Sequence, residues 1–453
     1  MRNLEEIKSR IPMIQDYHFE LYRRIVENPA APAFNSQCGD RLQELDFEIL
    51  DQFNSDLKRA EIYKPDTVWL ERYIETQALN SPYFFRSREA GLADAQVMTR
   101  NDIRDRLHEI VPLNADLSGL ILNPTSGTTG MPVQVPNTPL GVGHYQPIIL
   151  EAIRRHGVEL NPSNGDMAAV QICSQRHTMT YGTVHAYYDG AGFAKINLPP
   201  EGREALLGDW SAKDHPDRFL KDLRPMILSG DPFAFQVYMD YGIDFHPRAV
   251  LSTASTLSAE LRNRMESYFE CPVIDLYSSN ETGPVAASCS QHSNRFHQLS
   301  SDIFLEVLSD QGVATSGEGE LLVSGGRNPL LPLLRYNTGD RCYLSQEACS
   351  CGAQGFMEGF QGRPTVFFHS AAGRRINPLD FARMLRFVPA KRHRLQQNSD
   401  GTMDVFVDPG SFELETYSEE IVKKGMELLA GGIVRVHPWD PALEKDYPYE
   451  VVE

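Results

Sequence analysis

The sequence predicts an α/β protein: a large amino-terminal unit with a β-rich section, followed by a small α+β unit. Three features carry that prediction. From about residue 120, short apolar runs such as Leu120-Ile-Leu122 are punctuated by Gly, Pro, Ser and Thr and separated by segments of helical periodicity. Strands alternating with helices build a sheet covered by helices. The segments Asp302-Ile-Phe-Leu-Glu-Val-Leu308 and Gly319-Glu-Leu-Leu-Val323 read as two strands facing each other across a polar turn that contains glycine. After Gly362-Arg363-Pro364 the pattern becomes a helix near 378–387, strands near 393–407, a helix near 417–430 and a strand near 432–437, an order that fits a small α+β unit.

The elements before residue 120 are of a different kind. Glu44-Leu-Asp-Phe-Glu-Ile-Leu-Asp-Gln-Phe53 and Arg104-Asp-Arg-Leu-His-Glu-Ile110 space apolar residues at helical intervals among mixed charges, so residues 1–110 form a helical lead-in. The expected division is therefore an amino-terminal domain over 1–362 and a carboxy-terminal domain over 363–453. The first residues, MRNLEEIKSRIPMIQDYHF, interleave acids and bases with single apolar residues, which suits an amphipathic helix rather than a signal peptide. No run approaches the roughly 18 consecutive apolar residues of a membrane span. A formal net charge of −18 repels phosphate backbones and anionic lipid, and the basic residues are not concentrated anywhere, so neither nucleic acid nor membrane is an expected partner. A hydrophobic content of 41% with 23% charged residues excludes a disordered or fibrous chain, and a soluble cytoplasmic protein is the expectation. Seven thinly spread cysteines argue for reduced thiols or a metal site rather than a disulfide framework. Four of them, Cys289, Cys342, Cys349 and Cys351, cluster late in the chain.

The most informative stretch is Pro124-Thr-Ser-Gly-Thr-Thr-Gly-Met-Pro132. Gly127 and Gly130 let the backbone turn its N–H groups toward one point, and Ser126, Thr128 and Thr129 add hydroxyl donors, a combination that suits a polyphosphate. The G-x-x-x-x-G-K-[ST] pattern of the common P-loop is absent. By composition alone, an ordinary surface turn fits equally well.

The order of these residues resembles the acyl-adenylate-forming enzymes, and within them the phenylacetate–CoA ligase branch. That family carries a Thr/Ser-Ser-Gly-Thr-Thr-Gly-Lys-Pro loop, matched by Thr125 to Pro132 except that Met131 replaces the lysine. Met98-Thr-Arg-Asn-Asp-Ile-Arg104 is similar to the branch's segment before the loop. Asp275-Leu-Tyr-Ser-Ser-Asn-Glu-Thr-Gly-Pro284 resembles the family's Tyr-Gly-x-Ser/Thr-Glu segment, and Leu333-Leu-Arg-Tyr-Asn-Thr-Gly-Asp340 its Arg-Tyr-x-Thr-Gly-Asp. Gly362-Arg363 resembles the Gly-Arg that precedes a mobile carboxy-terminal domain. The motifs stand in the family's order, and the resemblance covers about residues 98–380.

The resemblance implies an adenylate-forming fold of several α/β layers with a carboxy-terminal lid. The implied activity is ATP-dependent activation of a carboxylic acid, with pyrophosphate released and the acyl group passed to coenzyme A. Such chemistry joins two anions in line and needs charge neutralisation. By resemblance, Thr125, Ser126, Gly127, Thr128, Thr129 and Gly130 grip the phosphates and Glu281 helps hold Mg²⁺. Tyr277 stacks on adenine, and Asn280 fills the Ser/Thr slot, while Ser278 stands where the family has glycine. Asp340 accepts from the ribose hydroxyls, and Arg363 reaches ribose or phosphate. Ser252-Thr-Ala-Ser-Thr256 replaces a Gly-Ala-Glu strand end, which leaves Ala254 a backbone role beside the base. Gln171, His177, Tyr181 and His185 stand where the branch builds its acyl pocket, and their polar aromatic character suits an aromatic or arylacetic acid.

Two departures bear on the later steps. The hinge is Pro364-Thr-Val, and proline restricts its rotation. The family's carboxy-terminal lysine, set beside glycine, has only Lys445 as a counterpart. Cys349-Ser-Cys351-Gly resembles a Cys-x-Cys-Gly of some branch members and, with Cys289 and His297 or His292, makes a Cys₃His set suited to a structural Zn²⁺; free thiols in a loop are the alternative. An adenylating enzyme with an amine or carrier-protein acceptor, and a non-catalytic nucleotide-binding relative, stay open as other functions. A homodimer stays open as the assembly.

Overall fold

A computed structural model describes residues 4–59, 68–85, 92, 95–124, 133–361, 366–390, 392–410, 412–440 and 449–452. Its centre is a sheet of thirteen strands. From one edge to the other these are Gly312–Ala314, Ile303–Ser309, Gly317–Gly325, Leu333–Ala348, Gln354–Gln361, Arg295–Gln298, Gly283–Ser288, Val273–Ser279, Ala249–Ser252, Ile227–Gly230, Met167–Cys173, Ala191–Asn197 and Tyr181–His185. The five strands from Val273–Ser279 to Ala191–Asn197 are mutually parallel, and the rest are antiparallel.

The parallel strands have apolar residues on both faces because helices cover both. Val170, Ile172, Leu228, Val250 and Val273 face one core with Phe219, Phe235, Tyr238, Met265 and Phe269. Those partners come from the helices His215–Leu223, Pro232–Asp240 and Ala259–Phe269. The alternate residues Ile227, Ala249, Leu251, Ile274 and Leu276 face a second core with Ile148, Ala152 and Ile153 of the helix Tyr145–Arg154. Local chemistry sets the helix ends. Asp231 accepts the Ala234 N–H at 2.6 Å ahead of Pro232, and Ser258 accepts from Leu261, whereas Arg224 and Glu270 close their helices in the left-handed region.

The lead-in helices His18–Val26, Glu44–Arg59 and Arg100–Ile110 are built into these layers rather than standing apart. Leu21 and Ile25 enter the first core, and Met98, just before the last of the three, hydrogen-bonds Arg335 O at 3.1 Å and the Asn337 N–H at 2.8 Å. A separate antiparallel hairpin, Ile121–Pro124 with Gln134–Asn137, brackets residues 125–132.

Residues 366–452 have their own sheet, with strands ordered Val434–Pro438, Met403–Asp408, Arg392–Gln397 and Tyr449–Val451. The helices Pro378–Met384 and Glu415–Leu428 pack on it around Phe368, Phe381, Leu395, Val405 and Ile421. The last strand pairs parallel to Arg392–Gln397, and the sequence reading did not anticipate it. This unit touches the larger one through polar groups and one aromatic stack. Asn377 donates to Ser174 O at 2.8 Å, the Asp380 carboxylate accepts the Arg176 N–H at 3.1 Å, and Phe367 stacks on Phe233. Burial pushes Asp380 up to about 6. Among the described residues, no helix is long and apolar enough to cross a membrane.

Candidate active site

Tyr277 lies near the end of the strand Val273–Ser279, and its hydroxyl donates to Asp340 Oδ2 at 2.8 Å. Asp340 lies in the strand Leu333–Ala348, at an irregularity in its pairing with Gly317–Gly325. Thr338 Oγ1 accepts its N–H at 3.2 Å, and Gly339 takes φ +77°, a region that favours glycine. Burial, then the Asp340 charge, keeps the Tyr277 phenol well above its usual pKa, so it is a neutral donor. Its ring leans on Phe360 with centroids 4.6 Å apart. Ser278, where glycine was expected, sits at a register shift in the strand pairing and needs no positive φ. The Ser278 hydroxyl lies 3.1 Å from that of Thr253, which brings Ala254, exposed at φ +75°, to the same end of the sheet.

Glu281 occupies the turn after Tyr277 and is only 6% exposed. Its Oε1 has no hydrogen-bond partner among the described residues, and Arg100 Nη1 stands 3.9 Å from it. The buried Tyr336 phenol lies beside this carboxylate, and burial, then the Glu281 charge, holds it well above its usual pKa. Asn280, next to it, is exposed. At Gly283, φ is +68° and a Cβ would lie 2.5 Å from the Tyr145 ring, so only glycine lets the turn close on that helix. Tyr145 OH accepts from Asn137 at 3.1 Å, which ties the Glu281 turn to the hairpin bracketing 125–132. An orphaned, buried carboxylate oxygen suits a hard divalent cation, so the donor set fits Mg²⁺.

Gln171 and Tyr181 are each registered opposite Lys195, on the face away from the first core. Lys195 is half-buried beside the Cys173 thiol and was not singled out from the sequence. His185 lies four residues along the edge strand from Tyr181 and stacks on Phe193 at 3.9 Å; burial pushes it down to about 4, so it is neutral. His177 stands apart from these: it is exposed in the loop after Cys173, where its carbonyl accepts from Arg383.

The ligand atoms of Cys289, His297, Cys349 and Cys351 all lie within 4.8 Å of one another. The spacing suits a tetrahedral centre with metal–sulfur bonds of about 2.3 Å. His297 donates from Nδ1 to Gly355 O at 2.9 Å, which leaves Nε2, 3.3 Å from Cys351 Sγ, as the ligating nitrogen. His292 instead pairs with Ser350 at 2.7 Å. Cys342 sits elsewhere, in an apolar cluster, and all seven cysteines are free thiols. These residues fit zinc.

Thr125, Ser126, Gly127, Thr128, Thr129, Gly130, Arg363 and Lys445 lie outside the described residues. The residues missed by sequence reasoning are Arg100, Tyr145, Lys195 and Tyr336. Arg100 and Tyr336 lay inside motifs already singled out, and their pairing with Glu281 is a matter of three-dimensional proximity.

No family model matches the sequence. Over 105 residues the chain is 30% identical to protein CapK of Staphylococcus aureus, a stretch that makes up 23% of this chain and 22% of that protein. Among solved structures, 2-hydroxyisobutyryl-CoA ligase, in complex with 2-HIB-AMP and CoA in the thioesterification state, superposes with a TM-score of 0.51. The identity is 16%, and the match covers 89% of this chain and 90% of the ligase. The same ligase in its postadenylation state gives a TM-score of 0.48 at 14% identity, covering 90% of each chain. The fold is a mixed α/β architecture. More particularly, the chain shares the fold of that acyl-CoA ligase over nearly its whole length.

Proposed function

We propose that the protein activates a carboxylic acid with ATP and transfers the acyl group to coenzyme A. In the first step a carboxylate oxygen attacks the α-phosphorus, the bond to the bridging oxygen breaks and pyrophosphate leaves. In the second, the coenzyme A sulfur attacks the acyl carbon, AMP leaves, and the thiol proton passes to solvent. The observation that carries this reading is the meeting of Tyr277 and Asp340 at 2.8 Å beside a buried Glu281 carboxylate with an orphaned oxygen.

In this reading Tyr277 offers a ring face to adenine, Ala254 lies beside the base and Asp340 accepts from the ribose hydroxyls. Asn280 adds a hydrogen bond at the site's mouth. Glu281 holds Mg²⁺, which screens the phosphates when bound. Residues 125–130 supply backbone and hydroxyl donors to the phosphates, and Arg363 and Lys445 belong to the same centre. Gln171, Tyr181 and His185 line the acid pocket, with His177 at its rim. The acid is aryl or arylacetic, as in the phenylacetate–CoA ligase branch. Residues 1–362 and 363–453 act as two domains. A zinc ion held by Cys289, His297, Cys349 and Cys351 ties the loop after Gly283–Ser288 to the turn before Gln354–Gln361 and takes no part in the reaction.

The test is ATP–pyrophosphate exchange with a panel of aromatic and aliphatic acids, followed by addition of coenzyme A. Acid-dependent exchange followed by thioester supports the reading. Exchange without coenzyme A turnover points to another acceptor, and ATP binding without exchange to a non-catalytic relative.

A further inference from the structure

The strand Ala191-Gly-Phe-Ala-Lys-Ile-Asn197 carries one charge among small and apolar residues. A strand inside a helix-covered sheet has no ordinary use for an ammonium group, whose burial is costly unless it is paired. The register shows that Lys195 does not stand alone. It is aligned with Tyr181 on one side and Gln171 on the other, and Gln171 in turn with Ser229. All four are half-buried. The same row continues through Leu251 to Ile274, which belong to the second core, so the face changes from apolar to polar at Ser229.

The topology puts this change at a crevice. The chain leaving Met167–Cys173 runs to the strands Tyr181–His185 and Ala191–Asn197 on one side. The chain leaving the adjacent Ile227–Gly230 runs to Ala249–Ser252 on the other. Where neighbouring connections diverge in this way, a crevice for a ligand opens beyond the carboxyl ends of the strands. Gln171 and Ser229 are registered across that point, and Lys195 and Tyr181 follow on its outer side.

Lys195 is poorly satisfied there. Among the described residues it makes no ion pair, and its close neighbour is the Cys173 thiol, a weak acceptor. Asp231 feels its charge, but that carboxylate is occupied by the helix it caps, where it accepts the Ala234 N–H at 2.6 Å. Tyr181, Gln171 and Ser229 have no side-chain hydrogen bond among the described residues. Burial holds the Tyr181 phenol above its usual pKa, so it is a neutral donor. An ammonium beside an unspent phenol, amide and hydroxyl is a donor set for a carboxylate.

The position of Lys195 says which carboxylate. Four strand spacings of about 4.8 Å, or about 19 Å, separate it from Ile274, and Tyr277 lies three residues beyond Ile274. The ammonium therefore stands away from the nucleotide, toward the far end of an acid whose reacting carboxylate sits beside the phosphates.

We propose that Lys195 binds a second carboxylate at the far end of the acid, so that the substrates of this chain are aromatic dicarboxylic acids. The proposal rests on the acid-activating reading above and narrows its substrate class. A plain arylacetate leaves the ammonium without an anion, whereas a diacid supplies one.

The test measures ATP–pyrophosphate exchange by the full-length protein with phenylacetate and with 1,3- and 1,4-phenylenediacetate, which carry one more carboxymethyl group. The better diacid is expected to exceed phenylacetate in kcat/KM by about 10- to 100-fold, the range for one charge-assisted contact. Lys195→Met and Lys195→Gln should abolish that advantage by raising KM for the diacid, with kcat and the phenylacetate parameters within about twofold of wild type. Lys195→Glu should instead favour 4-(aminomethyl)phenylacetate, whose cation replaces the lost one. MgATP binding by calorimetry should be unchanged in all three variants, because the nucleotide lies four strands away. Wild-type protein that exchanges with phenylacetate as well as with either diacid overturns this proposal alone. Equal loss for monoacid and diacid in the variants, or loss of MgATP binding, marks a structural role and also overturns it. Wild-type protein that exchanges with no acid of a wider panel overturns the acid-activating reading and this proposal with it.

Discussion

Replacing Glu281 with Gln keeps the shape of the side chain and removes its charge. Two unit charges 3.9 Å apart attract by about 4 kcal/mol at an effective dielectric of about 20, the gross value for the Glu281–Arg100 pair. Because Glu281 is only 6% exposed, most of that attraction is spent on desolvation, and the net change in unliganded stability is expected within about 1–2 kcal/mol. The effect on ligand binding is larger. If Glu281 helps hold the cation that accompanies the nucleotide, E281Q loses a full charge there. Saturating ligand at about 100 times its Kd stabilises the native state by about 2.7 kcal/mol, and a hundredfold weaker complex removes most of this. Thermal melting with and without MgATP separates the two terms. The unliganded melt should stay close to wild type and the MgATP-induced rise should largely vanish. An undiminished rise in E281Q would refute the role given to this carboxylate.

Three further outcomes are expected. Tyr277→Phe removes the hydroxyl donated to Asp340 and should cost about 1.5–3 kcal/mol, read by denaturant unfolding; a loss below about 0.5 kcal/mol would mean that the bond contributes little. Purified protein should carry about one zinc per chain by elemental analysis, lost in Cys351→Ala, and chelation should lower the melting temperature. Metal-free protein with an unchanged melt would contradict the zinc assignment. Asp380 has its folded pKa raised to about 6 from 3.8, so its contribution to stability is fully present below the unfolded value and is lost as pH rises through about 6. Asp380→Asn should therefore be more stable than wild type at pH 8, by up to about 3 kcal/mol, with the advantage disappearing toward pH 4; a pH-independent difference would contradict it.

Much of this arrangement was legible in the sequence because short motifs carry their own geometry. Arg335-Tyr-Asn-Thr-Gly-Asp340 stood out by its residue order, and in the structure Gly339 takes φ +77° within the strand Leu333–Ala348 while Thr338 accepts the Asp340 N–H. The helix at 378–384 and the strands at 392–397 and 403–408 follow from periodicity, since their apolar residues face one core. The strand at 449–451 did not, because three residues carry no period and it forms only by pairing with Arg392–Gln397. Lys195 and Tyr145 were invisible for a related reason. Their places beside Cys173 and Gly283 depend on strand register and helix packing between residues far apart in the chain. The choice of His297 over His292 likewise needed the Gly355 carbonyl, which sequence spacing does not place.

The most direct test of the central claim is a crystal structure of the protein with a non-hydrolysable ATP analogue and Mg²⁺. The account predicts adenine against the free face of Tyr277, ribose hydroxyls on Asp340, and the phosphates on the Glu281-bound ion. A nucleotide bound in any other cavity, or one that leaves Tyr277, Asp340 and Glu281 without contact, would contradict it.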